Sequence, residues 1–421
     1  MVALKNTGDV LFGAPWVSAL ATVRDAPLTF AWRTAQSEMA ALELRPAQNW
    51  RHDDARNAVL TEAALAASHD RAVSYSRRKA HYVGRQRYYG PSYAYRTILP
   101  AVSDGVAAGL LEEQRARPGS RERQSRFRAT SRLCQLLKNS PAEFRPGQEV
   151  IWLRDSNGRL IDYQDCPLTD RLRQELKTIN RQLETSTVGF SGPDVRRDGN
   201  WWIIGETHYF SAPPRLRRVF SRASFDMGGR AYGPWQSLPA RHRAMMIING
   251  DPTLEPDFVA LHPSIAYALR GVQFVGDPYE TAEFPRNYGK AGYNIALNAK
   301  SYSSARAAIA RALNLDMATA TRLLRAITLK HRAVSDLFFS DVGVRLMRID
   351  SDIALHTVTS CLIKGIPVLP VHDSFITPDR HAGQTAEIME ACFASRFPQS
   401  GTCQVRIKSA PKSHVEKRDA A

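Results

Sequence analysis

Cysteine is scarce in this sequence, and the spacing of the few cysteines argues against two common kinds of protein. The chain of 421 residues has five cysteines, and no two of them form a CxxC pair or a recognisable zinc-binding spacing. We therefore expect neither a disulfide framework nor a cysteine-ligated zinc site, and we interpret the cysteines as reduced. Any metal chemistry would have to use oxygen ligands.

Long apolar runs and a recognisable signal peptide are also missing. No run of about 18 apolar residues is present that could span a bilayer. Near the N-terminus, one lysine precedes a weak apolar stretch that Asp9, Gly13 and Pro15 interrupt, which makes a poor signal peptide. The sequence therefore predicts a cytoplasmic protein without a membrane partner.

Acidic residues are few compared with basic ones. The 57 Lys and Arg residues outnumber the 41 Asp and Glu residues, which gives a formal net charge of +16. Such a surplus favours a polyanionic partner. We place nucleic acid before an anionic membrane because no basic amphipathic anchor is visible; a basic surface that only serves solubility is the alternative.

Arginine and tyrosine alternate in the segment YSRRKAHYVGRQRYYGPSYAYR, which starts at Tyr75. Cationic side chains can bind phosphates, and aromatic faces can stack on bases or sugars. The pattern therefore predicts a nucleic-acid-binding surface that includes Arg77, Arg78 and Arg85.

The order of elements after this segment resembles a winged-helix module. ILPAVSDGVAAG predicts a helix, LLEEQR and QSRFRAT predict strands, and ARPGSRER predicts a basic turn between them. In such a module the helix can enter the major groove while the turn, here with Arg121 and Arg123, lies on the phosphates. A helix packed on an ordinary surface hairpin is the alternative.

Two local signals concern the middle of the chain. Asn157 and Gly158 lie between two alternating apolar runs and predict a tight hairpin. The segment LTDRLRQELKTINRQLE predicts an amphipathic helix capped by Thr169 or Asp170. We interpret this helix as a thumb-like linker to the C-terminal half.

Two short segments place acidic residues at the ends of predicted strands. Asp257 closes the strand-like run MMIINGDPTLEPD, and His372 and Asp373 lie between two apolar runs in GIPVLPVHDSFITP. An acid at the end of a strand can hold a metal ion. A lone one is more often a helix cap, and an Asp-Ser pair also fits an ordinary turn.

The segment PRNYGKAGYNIALNAKSY predicts a helix that starts near Pro285. Arg286, Lys290, Asn294 and Asn298 recur every four residues and therefore share one face. The two cations suit a triphosphate, and the two amides suit a sugar or a base. A solvated helix face is the alternative.

These patterns together resemble the single-subunit polymerase superfamily, which includes phage-type and mitochondrial RNA polymerases and bacterial family A DNA polymerases. Asp257 matches the catalytic aspartate of motif A, and His372 with Asp373 matches motif C. The Arg and Lys of motif B are matched by Arg286 and Lys290. The Asp-x-x-Gly-Arg-x-Tyr stretch of the phage-type enzymes is reproduced by Asp226, Gly229, Arg230 and Tyr232.

The resemblance covers roughly residues 220–395 and implies an α+β protein. Its C-terminal part would be a right-hand polymerase palm with reduced fingers, after a mostly helical, winged-helix-like N-terminal region. The expected regions are a helical part of unknown role (1–70), a basic winged-helix-like part (71–137), a hairpin with a thumb-like linker (138–209), palm and fingers (210–410), and a charged tail (411–421).

The implied activity is template-directed nucleotidyl transfer. In that chemistry two carboxylates, here Asp257 and Asp373, hold two Mg²⁺ ions, with Mn²⁺ as a possible substitute. Arg230 and Tyr232 would contact nucleic acid, and the stripe that starts with Arg286 and Lys290 would contact the incoming nucleotide. The implied partners are a template and a primer, with DNA placed before RNA, and nucleoside triphosphates; the sequence predicts no oligomeric state.

Three positions, 262, 298 and 299, depart from the family pattern, and a fourth, 374, agrees with only one branch of the family. Asn298 and Ala299 stand where the family has tyrosine and glycine. His262 stands where the DNA enzymes have a glutamate that blocks the ribose 2′-hydroxyl and the RNA enzymes have a glycine. Ser374 agrees with the RNA enzymes.

Because an imidazole at position 262 would exclude a 2′-hydroxyl, the sequence favours DNA synthesis. A phage-type DNA-dependent RNA polymerase or a primase-like enzyme is one alternative. A catalytically inactive polymerase homologue that only binds nucleic acid is the other.

Overall fold

A computed structural model describes residues 25–117, 124–198 and 201–408 of the chain. These residues form an α+β structure that divides into two units. Of the described residues, those within 25–117, 124–177, 192–198 and 201–212 form the N-terminal unit, and those within 178–191 and 213–408 form the C-terminal unit. Among the residues described, no helix has the length and apolar character needed to cross a membrane.

The helices and strands are numbered along the chain. The α-helices are α1 (Gln36–Ala40), α2 (Trp50–Ala67), α3 (Lys79–Tyr82), α4 (Gln86–Tyr89), α5 (Tyr95–Ala107), α6 (Ser131–Leu136), α7 (Pro167–Leu183), α8 (Ala240–Arg243), α9 (Leu261–Ala268), α10 (Arg286–Asn298), α11 (Tyr302–Leu313), α12 (Met317–Lys330), α13 (Gly343–Ile363) and α14 (Ala382–Arg396). The strands are β1 (Ala26–Pro27), β2 (Trp32–Thr34), β3 (Val73–Tyr75), β4 (Leu111–Gln114), β5 (Ser125–Ala129), β6 (Ala142–Phe144), β7 (Ile151–Leu153), β8 (Val188–Phe190), β9 (Val195–Asp198), β10 (Trp201–Ile204), β11 (Thr207–Phe210), β12 (Arg217–Ser221), β13 (Ser224–Tyr232), β14 (Met246–Ile248), β15 (Asp251–Phe258), β16 (Leu369–Val371), β17 (Ser374–Pro378) and β18 (Val405–Lys408).

The N-terminal unit contains a four-stranded sheet in the order β1-β3-β5-β4. Leu60 of α2, Ile98 of α5 and Phe127 of β5 are fully buried in one hydrophobic core. Residues from both predicted regions 1–70 and 71–137 contribute to this core. The two stretches therefore pack together rather than as separate bodies.

The element order predicted for the winged-helix-like region is confirmed at the level of secondary structure. Helix α5 is followed by β4 and β5, which pair antiparallel, and then by α6. The sheet continues beyond this hairpin through β3 and β1. The predicted basic turn, with Arg121 and Arg123, lies outside the described residues.

The two local predictions for the middle of the chain hold in part. A tight turn forms at Asn157 and Gly158, but the pairing around it is a single bridge between Arg154 and Leu160. Helix α7 forms, yet it begins at Pro167, so Thr169 does not cap it from outside. Its hydroxyl lies in the first turn and accepts a hydrogen bond from the amide of Cys166.

The C-terminal unit is built around a sheet in the order β16-β17-β15-β14-β8, with β18 paired to the end of β15. Strand β15 runs antiparallel to β14, β17 and β18. Side chains alternate along it. Phe258 packs towards Phe393 of α14, with ring centroids 6.5 Å apart, and alternation places Glu255 and Asp257 on the opposite face.

Candidate active site

Strand pairing brings Asp257 and Asp373 together. Asp257 lies near the end of β15 and pairs with Ser374, the first residue of β17. The amide of Phe258 donates to the carbonyl oxygen of Asp373, with 3.1 Å between the two atoms. Both aspartates are half-buried. Two aspartates that are far apart in sequence are therefore neighbours in the backbone, one on β15 and one in the turn that precedes β17.

His372 and Asp373 form the two-residue turn between β16 and β17, as predicted. His372 has φ +61°, in the left-handed region. Its ring packs edge-on against Tyr232, with centroids 5.6 Å apart, and its Nδ1 atom is buried without a hydrogen-bond partner among the described residues. Burial, with the nearby charge of Arg230, lowers the pKa of His372, so the ring is neutral at pH 7.

Arg230 and His262 meet at a buried carboxylate, that of Asp350 on α13. Nη2 and Nε of Arg230 donate to Oδ2 of Asp350 over 2.5 and 3.1 Å. Nε2 of His262 lies 2.9 Å from the same oxygen. The Asp350 side chain is only 1% exposed. Burial alone would raise the pKa of Asp350, but His262 and Arg230 together lower it, so Asp350 is ionised.

A bulge in the pairing of β12 with β13 positions Arg230. The register shifts next to Phe220, and Gly229 has φ +79°. A Cβ atom on Gly229 would lie 2.8 Å from the Phe220 ring. The carbonyl oxygen of Gly229 accepts hydrogen bonds from Ser351 and, over 2.7 Å, from Arg218. Glycine before the arginine is therefore required by both backbone conformation and space.

A second acidic side chain, Glu255, lies on the same face of β15 as Asp257. Oε1 of Glu255 accepts a hydrogen bond from Oγ of Ser374 over 2.7 Å. Oε2 accepts from Nε of Arg243 over 3.3 Å. The serine that follows Asp373 is thus tied to the strand that carries Asp257, which couples the turn to β15.

Helix α10 begins at Arg286, directly after Pro285, as the sequence predicted. Arg286 forms an ion pair with Asp277 and lies over the ring of Tyr279. Lys290 is exposed, with Nζ 5.7 Å from the centroid of the same ring. A Cβ on Gly289 would lie 1.9 Å from the carbonyl oxygen of Tyr279, so glycine lets the helix approach this segment closely.

The remaining residues of the predicted stripe differ in their surroundings. Asn294 is half-buried, and Asn298 is exposed. Nδ2 of Asn298 donates to the carbonyl oxygen of Asn294 over 2.8 Å. The Asn298 amide therefore bonds within its own helix.

The charges of the two aspartates act on two buried side chains, one of which, Tyr279, lies beneath the cations of α10. Burial, with the charge of Asp373, raises the pKa of Tyr279 to about 12. Burial also raises the pKa of Cys403 to about 11, and the charges of Asp373 and Asp257 contribute to that rise. The ring of Tyr279 therefore lies beneath the cations of α10, and its pKa is affected by the charge of Asp373.

The carboxylates of the site fit Mg²⁺ that is bound partly by the protein and partly by a substrate. Within the described part of the chain, no group of three or more His, Cys, Asp and Glu side chains is arranged to hold a metal ion. Mg²⁺ prefers oxygen ligands, and it commonly takes one or two protein carboxylates and completes its shell with water and substrate phosphates. Asp257 and Asp373 match that pattern.

The prediction of an aromatic surface on the N-terminal unit is wrong for three of the tyrosines. Tyr82, Tyr88 and Tyr93 are 2%, 1% and 5% exposed, so they belong to the protein interior and cannot stack on bases. Arg77 donates to Glu113 over 2.6 Å, whereas Arg78 is exposed and Arg85 is half-buried. The tyrosines and arginines alternate in the sequence because one side of each short turn of the chain faces the core and the other side does not.

Sequence reasoning missed Asp350, Glu255 and Tyr279. A signal for Asp350 was available, because it lies four residues after Leu346 and four before Ala354, both of which are buried on α13. An acid on the apolar face of a helix needs a buried partner. Tyr279 and Glu255 gave no comparable signal, since their contacts depend on segments distant in sequence.

Comparisons with known proteins add little to this description. No family model matches the chain, and no curated protein matches it. Among solved structures, the chain is similar to the POL domain of Pol1 from M. smegmatis in complex with DNA primer-template and dNTP, with 14% sequence identity and a TM-score of 0.32. The match covers 57% of this chain and 51% of that one, so this chain spans about half its length.

Proposed function

We propose that the C-terminal unit is a template-directed nucleotidyltransferase, a nucleic-acid polymerase of the single-subunit type with a palm and reduced fingers. The observation that carries this proposal is the adjacency of Asp257 and Asp373 on β15 and the β16–β17 turn. The charge of Asp373 also acts on Tyr279, whose ring lies beneath Arg286 and Lys290 at the start of α10. The sequence resemblance assigns polymerase roles to the same residues.

Each side chain has a defined task in the proposed reaction. Two bound Mg²⁺ ions would supply activation of the attacking 3′-hydroxyl and neutralisation of charge on the leaving pyrophosphate. Asp257 and Asp373 would hold those ions against the substrate. Lys290 is exposed and would contact the triphosphate, where a cation stabilises the developing charge. Arg286 would exchange its partner Asp277 for a phosphate oxygen.

The proposed specificity is for deoxynucleotides on a DNA template. His262 would occupy the volume next to the sugar C2′, and a side chain that leaves no room for a hydroxyl discriminates by exclusion. Ser374, which resembles the RNA enzymes, bonds to Glu255 and lies beside the aspartates, so its identity bears less on the sugar. An RNA polymerase or primase-like activity is the alternative within the same class.

A binding protein without catalysis is the second candidate. The observation that favours it is Asn298, which stands at the tyrosine position of the family and whose amide bonds to its own helix. Such a protein would bind primer-template through its basic surface and leave the nucleotides unchanged.

Primer extension tests these candidates. The protein would be incubated with Mg²⁺ and primed template, unprimed template or single strands, with ribonucleotides or deoxynucleotides supplied separately. Asp257→Asn and Asp373→Asn should each abolish incorporation, because removing a metal carboxylate costs several kcal/mol of transition-state stabilisation. DNA affinity should stay the same or rise.

Asp379→Asn is the matched control, because Asp379 is an exposed aspartate that directly follows β17. It should retain full incorporation. Turnover that persists in Asp257→Asn or Asp373→Asn would refute the catalytic assignment, and binding without incorporation by the wild type would favour the second candidate.

A further inference from the structure

Asp350 is a buried carboxylate that receives side chains from two other elements. Arg230 reaches it from β13, and His262 reaches it from the first turn of α9. Nη2 of Arg230 and Nε2 of His262 lie 3.3 Å apart. Arg230 and His262 therefore donate to the same oxygen of Asp350, and the short distance between Nη2 and Nε2 is that of two donors to one acceptor.

The carboxylate of Asp350 is enclosed by the protein, whereas its two partners are partly exposed. Its side chain is 1% exposed, whereas those of Arg230 and His262 are 19% and 20% exposed. A cavity of about 10 Å³ adjoins the cluster, and its lining includes Arg230, Asp350 and His372. Asp350 is thus too enclosed to meet a nucleotide, but its two partners are not.

The cluster belongs to the same region as the aspartate pair. His372 lines the cavity next to Asp350 and precedes Asp373 in the turn. The charge of Asp373 is also among the causes that raise the pKa of Arg230, after that of Asp350. His262 therefore lies within hydrogen-bonding distance of a guanidinium that interacts with the candidate metal ligand.

We propose that Asp350 is a positioning residue for sugar selection: its carboxylate holds the imidazole of His262 in one orientation, with one edge exposed towards the nucleotide. The inference rests on the proposed polymerase function and adds a residue to which the family motifs give no role. Exclusion of a hydroxyl requires a side chain that cannot turn away. A ring bonded through Nε2 to a buried carboxylate meets that requirement, whereas a free ring would rotate and admit the 2′-hydroxyl.

The test is the ratio of kcat/KM for a deoxynucleotide to kcat/KM for the matching ribonucleotide in primer extension. Asp350→Ala should lower this ratio by roughly tenfold, a size typical of discrimination by shape alone. His262→Gly should lower it to a similar extent. The double variant should equal His262→Gly, because Asp350 acts through His262 and has nothing left to position. Asp350→Glu, which keeps the carboxylate, should recover part of the ratio.

Asp352→Asn is the matched control, since Asp352 is also on α13 and forms ion pairs with Arg218 and Arg348. It should change stability without changing the ratio. If Asp350→Ala does not fold, Asp350→Asn keeps the side-chain volume and takes its place.

Each outcome separates this inference from the proposed function. An unchanged ratio in an active Asp350 variant would overturn the inference alone. So would a change in the ratio that persists in the His262→Gly background, because Asp350 would then act through Arg230. A wild type that incorporates no nucleotide would overturn the proposed function and the inference together.

Discussion

His372 keeps a backbone conformation that most residues avoid. A left-handed φ costs an ordinary L-residue about 1–2 kcal/mol, and glycine would remove that cost. Histidine at φ +61° instead brings a ring that packs on Tyr232 and lines the cavity beside Asp350. Strained residues that persist in a structure are concentrated at functional sites, which agrees with a role for this turn in presenting Asp373.

Lys290 offers the most direct test of nucleotide binding at the scale of one residue. Its ammonium is exposed above Tyr279, where it is free to meet a triphosphate. Lys290→Ala should raise the KM for the nucleotide, lower kcat, or do both, since a charge that stabilises the triphosphate is lost. Steady-state primer extension over a range of nucleotide concentrations measures both constants.

Lys330→Ala is the control for this prediction. Lys330 is also exposed, and its Nζ lies 5.6 Å from the centroid of the Phe274 ring, so the substitution removes a similar cation and aromatic contact. Its nucleotide kinetics should match those of the wild type. A loss of DNA affinity in Lys290→Ala with unchanged nucleotide constants would mean that this face of α10 binds nucleic acid instead.

At the scale of elements, one buried histidine joins three segments of the C-terminal unit. His331 directly follows α12 and is 1% exposed. Its Nε2 donates to the carbonyl oxygen of Pro278 over 2.8 Å, and its Nδ1 accepts from the hydroxyl of Tyr267 over 3.1 Å. Because Pro278 precedes Tyr279, the neutral ring of His331 supports the segment beneath Lys290.

The ionisation of His331 predicts a loss of stability in acid. Burial lowers the pKa of His331 to about 4, against an ordinary value of 6.5. The unfolded chain therefore binds a proton between pH 6.5 and about 4 that the folded chain does not bind, so the free energy of unfolding falls as the pH decreases through this range. The full effect is about 3 kcal/mol.

Chemical denaturation of the wild type and of His331→Gln at several pH values measures this effect. The variant should be less stable near neutral pH, because an amide fills the site poorly. The difference in the free energy of unfolding between the two proteins should shrink towards pH 4, because only the wild type loses stability when the unfolded chain binds a proton at His331. A constant difference across the range would show that His331 does not titrate differently in the folded and unfolded states.

Elements that depend on local patterns could be predicted, whereas contacts between distant segments could not. The turn at His372 and the helix from Arg286 follow from turn chemistry and a proline, and the structure confirms them. The single strand-like run predicted before Asp257 is instead a hairpin of β14 and β15, and Asp257 lies near the end of β15. The same local reasoning misread Tyr82 and Tyr93, which are buried in the core that includes α2 and the sheet. It also misread Tyr88, whose ring packs against Trp152 of β7. It also missed Asp350, whose partners lie on β13 and α9.

At the scale of the whole molecule, the net charge of +16 favours nucleic acid as a partner, but not every arginine contributes equally. Removing residues 71–137 would be a poor test, because they share a core with residues from 25–67. Single arginines on the surface offer a better one. Arg78 and Arg77 are adjacent, yet Arg78 is exposed while Arg77 donates to Glu113.

This contrast gives a prediction about salt dependence. If the N-terminal unit binds DNA phosphates, Arg78→Ala together with Lys79→Ala should weaken binding and flatten the plot of log affinity against log salt concentration by roughly 0.9 for each lost phosphate contact. Arg77→Ala should instead lower stability, because it removes one of the two arginines that pair with the nearly buried Glu113, and should change the salt slope little. Fluorescence anisotropy with a labelled duplex at several salt concentrations gives the slopes. Equal slopes for the wild type and the double variant would remove this surface from the DNA-binding site and leave the charge of the C-terminal unit to account for binding.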